Sequence, residues 1–237
     1  MNPNSKLFLW AITSAMAGFL FGFDTIVISG AEQRIQSIWD LSAFRHGLNM
    51  SAALWGTVLG SLLGGWPTER FGRRATLLWV GVLYFVSAVG SAIAPNDIVF
   101  MISRAIGGIG VGIATVVSPL YISEIAPADR RGRLAGLFQF NIVFGILVAF
   151  LSNYLLGLYL NPDIAWRWML GVEAFPALAF SLLCFTLPES PRWLITHAQQ
   201  RGRALEVFRK IYPQSTEVEL KTLADQVEAS AGDRAKP

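Results

Sequence analysis

Six apolar runs, each about twenty residues long, alternate with short polar segments along the first 190 residues. They are Leu7 to Ser29, Met50 to Pro67, Ala75 to Ala94, Ile98 to Ile122, Leu134 to Leu160 and Trp168 to Leu187. An α-helix rises 1.5 Å per residue, so roughly 20 residues cross a hydrocarbon core about 30 Å thick. The pattern predicts an all-α, polytopic membrane protein with six transmembrane helices over residues 1–190. The first run contains Asp24, is too long for a cleaved leader and has no small-residue cleavage site, so it should persist as helix one. Beyond Leu194 the periodicity changes. Gln199 to Tyr212 and Thr216 to Ala229 are charged, amphipathic and separated by Pro213, which predicts two short surface helices in a segment spanning 191–237.

Composition agrees with this partition. The chain of 237 residues is 53% hydrophobic and 15% charged, with a mean hydropathy of +0.47, which is greasier than a soluble domain of this size. The basic residues are distributed unevenly. With the N-terminus inside, Lys6, Arg70, Arg73, Arg74, Arg130, Arg131, Arg133 and the eight from Arg192 onward lie on one side. Arg34, Arg45 and Arg167 lie on the other. Positive charge stays cytoplasmic during insertion, so both ends of the chain are expected in the cytoplasm. Short outer loops suggest a bacterial inner membrane. The net charge of +3 follows from this bias and calls for no nucleic-acid partner. Cys184 is the single cysteine and sits in span six, so no intramolecular disulfide forms. An intramembrane enzyme would need a catalytic set. The two histidines, His46 and His197, fall outside the spans on opposite sides, and no hydrolase or zinc-protease motif occurs. No metal or cofactor is expected. A channel would need a re-entrant segment, for which the outer loops are too short.

Three segments carry finer information. Pro188 to Leu194 reads PESPRWL where span six meets the basic tail. Gly64 to Arg74 reads GGWPTERFGRR between spans two and three. There Gly72 permits a tight turn, and the arginines can pair with acids or helix C-termini. Arg104 is followed by Gly107, Gly108, Gly110 and Gly112, then by Pro119, Tyr121, Glu124, Pro127, Arg131 and Gly132. Together these resemble the motifs of the sugar porter family in the major facilitator superfamily, over nearly the whole chain. The second departs in one position, with Glu69 where the family shows Asp. The resemblance implies the N-terminal half of a major facilitator fold, a 3+3 inverted repeat followed by short cytoplasmic helices. The C-terminal six-helix half is absent from this sequence, and an equivalent chain is the expected partner beside the lipid bilayer.

The same resemblance implies transport of a monosaccharide by alternating access. Glu69, Arg70, Arg73, Arg74, Glu124, Arg131, Glu189 and Arg192 would form a cytoplasmic ionic latch, with Glu124 and Arg131 facing each other. Solvated surface pairs worth about 0 to 1 kcal/mol each are the plainer alternative. The spacing of Gly56, Gly60 and Gly64, and of Gly108 and Gly112, predicts close helix packing in lipid.

Two charges fall inside spans, where a lone ion costs at least ~3 kcal/mol. Helical rise puts Asp24 about 7.5 Å and Arg104 about 9 Å from the outer ends of their spans, so the two can pair. Pairing favours the ionised carboxylate and separation favours its protonation. Gly22, Phe23, Asp24 and Thr25 match the motif of proton-coupled porters, where the Asp is protonated and an Arg is its partner, whereas facilitative relatives carry Asn. The coupling ion would then be a proton, and a structural salt bridge is the alternative. Gln139, Ile146 and Asn153 recur every seven residues on one face of span five. By resemblance Gln139 bonds sugar hydroxyls. Ile146 stands where xylose symporters carry glutamine and glucose facilitators carry isoleucine. Phe21 is an additional wall candidate, Asn153 reads as interhelical glue, and Glu173 has no assigned role. A facilitative uniporter, a non-transporting sugar sensor or scaffold, and a non-functional fragment remain open readings.

Overall fold

A computed structural model describes residues 3–234. Twelve α-helices follow one another: α1 (Pro3–Val27), α2 (Glu32–Ile38), α3 (Ala43–Leu63), α4 (Gly65–Phe71), α5 (Arg73–Ile93), α6 (Asp97–Ile125), α7 (Arg131–Tyr159), α8 (Pro162–Gly171), α9 (Ala174–Cys184), α10 (Pro191–Thr196), α11 (Arg201–Ile211) and α12 (Glu217–Arg234). A single 3-10 turn, Ile28–Gly30, extends α1, and α8 with α9 makes one interrupted span. Five of these spans are long and apolar enough to cross a membrane by length and composition. The span built on α3 falls short of that hydropathy because the helix starts seven residues before the predicted Met50, taking in Arg45, His46 and Asn49. Span six likewise starts at Pro162 rather than Trp168, with Asn161 capping the N–H of Asp163 and Pro162 at the first helical position.

The six spans pack as two intertwined triplets. α1 lies against α7, and α3 lies against α6. Exchanging the first three spans with the last three maps one contact onto the other, as an inverted repeat requires. Glycines make both contacts close. A Cβ on Gly56 or Gly60 would strike the carbonyl oxygens of Ala105 and Ile109, and one on Gly108 or Gly112 would strike those of Ala53 and Thr57. Gly22 and Gly145 play the same part between α1 and α7, meeting Ile142 and Phe19. The small residues therefore let backbones touch, which replaces the hydrophobic driving force that lipid cannot supply between helices. Asn153 on α7 donates from Nδ2 to the Val27 carbonyl at 3.0 Å and joins the same seam.

The surplus of apolar side chains points outward. Leu54, Trp55, Leu62 and Leu63 on α3, and Phe140, Leu147 and Leu151 on α7, are all exposed. An exposed apolar surface of that extent belongs against lipid or another protein. The tail folds back. α10 and α11 bury Leu194, Ile195, Ala204, Val207, Phe208 and Ile211 in the same apolar cluster as Leu77, Tyr121 and Leu187 at one end of the bundle.

Candidate transport site and ion cluster

Within the bundle, Asp24 from α1 meets Arg104 from α6. Arg104 Nη1 donates to Asp24 Oδ1. Its Nη2 donates to the Asp24 carbonyl at 3.2 Å and to Oδ2 at 3.3 Å. Both side chains are almost wholly removed from the surface, at 3% exposed for the acid and 6% for the base. Gly107 leaves room for this pair, since a Cβ there would strike Ser87 Oγ and stand 3.9 Å from Asp24 Oδ1. Glu173 from the break between α8 and α9 and Tyr84 from α5 are also buried, and both lie close enough to Asp24 and Arg104 to feel their charge. Tyr84 Oη and Glu173 Oε1 have no hydrogen-bond partner among the described residues. Asp24 is thus paired with the guanidinium, and a second buried carboxylate, Glu173, lies near them in a site of low dielectric. No role follows from sequence for Glu173, an acid within an apolar run, and its burial beside Asp24 is a finding of the structure.

The sequence stripe on α7 changes in burial along its length. Gln139 is exposed, Ile146 is half-buried and Asn153 is buried. Gln139 makes no hydrogen bond to the described residues. Phe21 is half-buried against the inner apolar cluster. Asn141, two residues from Gln139, turns its amide to the Leu137 carbonyl of its own helix at 2.8 Å.

The predicted cytoplasmic charges divide into two sets. Arg73 and Glu124 form a two-point bridge, Nε to Oε2 and Nη2 to Oε1, both at 2.9 Å, with side-chain exposures of 7% and 4%. Arg73 Nη1 also donates to the Thr68 carbonyl at 3.3 Å. Glu189 sits at the start of α5, where it accepts from the Arg73 N–H at 2.9 Å and the Arg74 N–H at 3.2 Å. The Ser190 N–H donates to it at 2.8 Å. A carboxylate over the first turn satisfies orphan donors and faces the positive end of the helix dipole. Gly72 makes that approach possible: its φ is +92° and a Cβ there would strike Glu189 Oε2, so no L side chain fits. Arg74 Nη2 caps the end of α9 through the Phe185 carbonyl at 2.8 Å.

Glu69, Arg70, Arg131 and Arg192 stand outside this set, without an ion pair among the described residues. The expectation that Glu124 faces Arg131 is corrected here, because Arg73 takes both oxygens of Glu124 while Arg131 is exposed at the start of α7. Proximity at two helix ends in sequence did not reveal which arginine the turn at Gly72 would deliver. Trp193 of the PESPRWL segment ties the Glu69 backbone instead, its Nε1 donating to that carbonyl at 2.6 Å, and Tyr121 Oη donates to the Pro188 carbonyl at 2.9 Å. The opposite end of the bundle carries two bridges unsuspected from sequence, Arg45 to Asp97 and Arg34 to Asp163. There Arg167 caps α5 through the Ala92 carbonyl at 2.7 Å.

The Glu189 cap is testable. Burial pushes its carboxyl above the usual carboxylate range, while the N–H groups of Ser190, Arg74 and Arg73 pull it back. A raised folded value means that its contribution to stability is full below the ordinary carboxylate pKa and declines as pH rises through the folded value. Glu189→Ala should lose about 1–2 kcal/mol at neutral pH through the orphaned N–H groups. Glu189→Gln keeps an acceptor, should lose less, and should flatten the decline with pH. Thermal unfolding from pH 4 to 8 in detergent checks this, and identical curves for both variants would exclude the cap as the stabilising contact.

The family model for "Sugar (and other) transporter" matches residues 10–235. The chain belongs to this family. Among its relatives are the D-xylose-proton symporter of Escherichia coli strain K12, 39% identical over 88% of this chain and 48% of the relative. The glucose transport protein of Synechocystis is 40% identical over 88% of this chain and 49% of the relative. The major myo-inositol transporter IolT of Bacillus subtilis is 38% identical over 89% and 45%. The structure of the proton:xylose symporter XylE bound to 6-bromo-6-deoxy-D-glucose superposes with a TM-score of 0.91 at 34% identity, over 97% of this chain and 54% of that one. An inward-open structure of XylE from E. coli gives 0.88 at 34% identity over 98% and 58%. The chain therefore spans about half the length of these relatives and has the fold of a six-helix half of the family's transporters. The family is one of transporters, not enzymes.

Proposed function

We propose that this chain forms the N-terminal half of a proton-coupled monosaccharide symporter working by alternating access, with Asp24 as the proton site. The observation that carries the reading is the buried Asp24–Arg104 pair with Glu173 beside it, an arrangement with one acid more than its base can neutralise. Arg104 supplies the counter-charge of Asp24 while they touch, and any movement that parts them leaves the buried carboxylate without it. Gln139 is the hydroxyl ligand, with Ile146 and Phe21 as apolar wall, on an exposed helix face that a second six-helix half would close. The cytoplasmic charges fit the same scheme. Arg73, Arg74, Glu124 and Glu189 hold this half together internally, while Glu69, Arg70, Arg131 and Arg192 offer side chains to the other half. The distribution of Lys and Arg supports cytoplasmic termini, and the bacterial relatives support an inner-membrane location.

Asp24→Asn tests the assignment. In vesicles carrying the protein with its second half, the substitution should abolish sugar accumulation driven by a proton gradient while leaving exchange of labelled glucose or xylose across the membrane. Accumulation equal to wild type would refute Asp24 as the proton site and favour a facilitative uniporter. Absence of uptake from the wild-type pairing would favour a sensor or scaffold.

A further inference from the structure

At the end of the bundle assigned to the cytoplasm, α5, the α9–α10 junction and α11 surround an open cavity of about 380 Å³. Two guanidinium groups line it, Arg74 and Arg203. Neither makes an ion pair among the described residues. Arg74 donates from Nη2 to the Phe185 carbonyl at 2.8 Å, and Arg203 donates from Nη1 to Gln200 Oε1 at 2.6 Å. An arginine has five N–H donors, so most of the donors of both remain available. Glu189 also borders the cavity, but its oxygens are engaged by the N–H groups of Arg73, Arg74 and Ser190.

From this cationic mouth two apolar stripes descend along the bundle. Leu178 and Leu182 on α9 and Phe185, which caps its end, are exposed at spacings of four and three residues. Leu78, Val82 and Phe85 follow the same spacing on α5, half-buried to exposed. The indole of Trp193 lines the cavity, the kind of amphipathic ring that collects at a membrane interface. Arginines spread over water would ask only for counterions. These two stand where hydrocarbon-facing surface ends, which is the geometry of a phosphate head with acyl chains below it.

We propose that this cavity binds an anionic phospholipid of the adjoining leaflet, its phosphate held between Arg74 and Arg203 and its acyl chains laid along α5 and α9. The lipid then bridges α11 to the transmembrane helices. The inference rests on the membrane topology proposed above.

Native mass spectrometry of the purified protein, titrated with phosphatidylglycerol or with phosphatidylcholine of the same acyl chains, reads it directly. Phosphatidylglycerol should be retained preferentially. Arg203→Gln should weaken its retention about fivefold, and Arg74→Gln with Arg203→Gln on the order of 25-fold, from about 1 kcal/mol per arginine. Arg209→Gln, exposed in the last turn of α11 and outside the cavity, should leave it unchanged. Arg203 is exposed on α11 and the fold does not depend on it, so its variant decides the matter even where removal of Arg74 disturbs α5. Equal retention of both lipids, equal binding by wild type and Arg203→Gln, or displacement of phosphatidylglycerol by millimolar inorganic phosphate would overturn the proposal. The readout needs no transport, so a null lipid result beside intact proton coupling would refute this site alone.

Discussion

Arg73→Ala should lower the unfolding free energy by about 3–5 kcal/mol, because it strands Glu124 as a buried charge with no partner. The bridge is two-point, its carboxylate is 4% exposed, and the arginine also serves the Thr68 carbonyl. Replacing both ends with apolar residues of similar volume, Arg73→Met with Glu124→Leu, should restore most of the loss, since the pair's desolvation cost disappears together with its attraction. Arg131→Ala, at an exposed position without an ion pair, should stay within about 0.5 kcal/mol of wild type. Thermal unfolding of the purified protein in detergent ranks the three. If Arg73→Ala and Arg131→Ala melt alike, the buried bridge is not what fixes α5 to α6.

Gly108→Val is expected to be at least as damaging, by a different route. A Cβ at this position would stand 2.8 Å from the Ala53 carbonyl carbon and 3.0 Å from its Cα, so α3 and α6 must move apart along a seam where Gly56, Gly60 and Gly112 also require contact. Overpacking costs about 1–3 kcal/mol where a side chain can shift, and here the obstacle is backbone, so a loss of about 3 kcal/mol or more follows. Gly136→Ala is the control. Nothing lies within 4 Å of the added atom, and alanine gains up to about 1 kcal/mol of helix propensity over glycine. Expression and melting of the two variants side by side decide the point, and a folded Gly108→Val protein with wild-type melting would show that the seam yields.

The glycine spacing was legible in the sequence for α3 and α6 because a four-residue interval always returns to one helix face. It was not read for α1 and α7, although Gly18 and Gly22 share that interval, because Gly145 has no such companion on α7 and only the partner's backbone reveals the contact. Span two was misplaced at its start for a related reason. Apolar character dates a span by what lipid contacts, whereas α3 is capped by Ser42, whose side chain accepts from the Arg45 N–H at 3.4 Å, and its polar first turns rest against α6 through Arg45 and Asp97.

Sequence alone determined that there are six spans, two of the three short helices after them, the charge bias and the matching depth of Asp24 and Arg104. All of these follow from helical rise and from the cost of placing charge in lipid, which act on each segment separately. Only the tertiary structure decided that Arg73 rather than Arg131 holds Glu124, that Glu189 caps α5, and that Glu173 joins the buried pair. Those outcomes depend on the rotation of each helix about its own axis and on the left-handed turn at Gly72. Rotation is set by which backbones can touch, and no single segment contains that information.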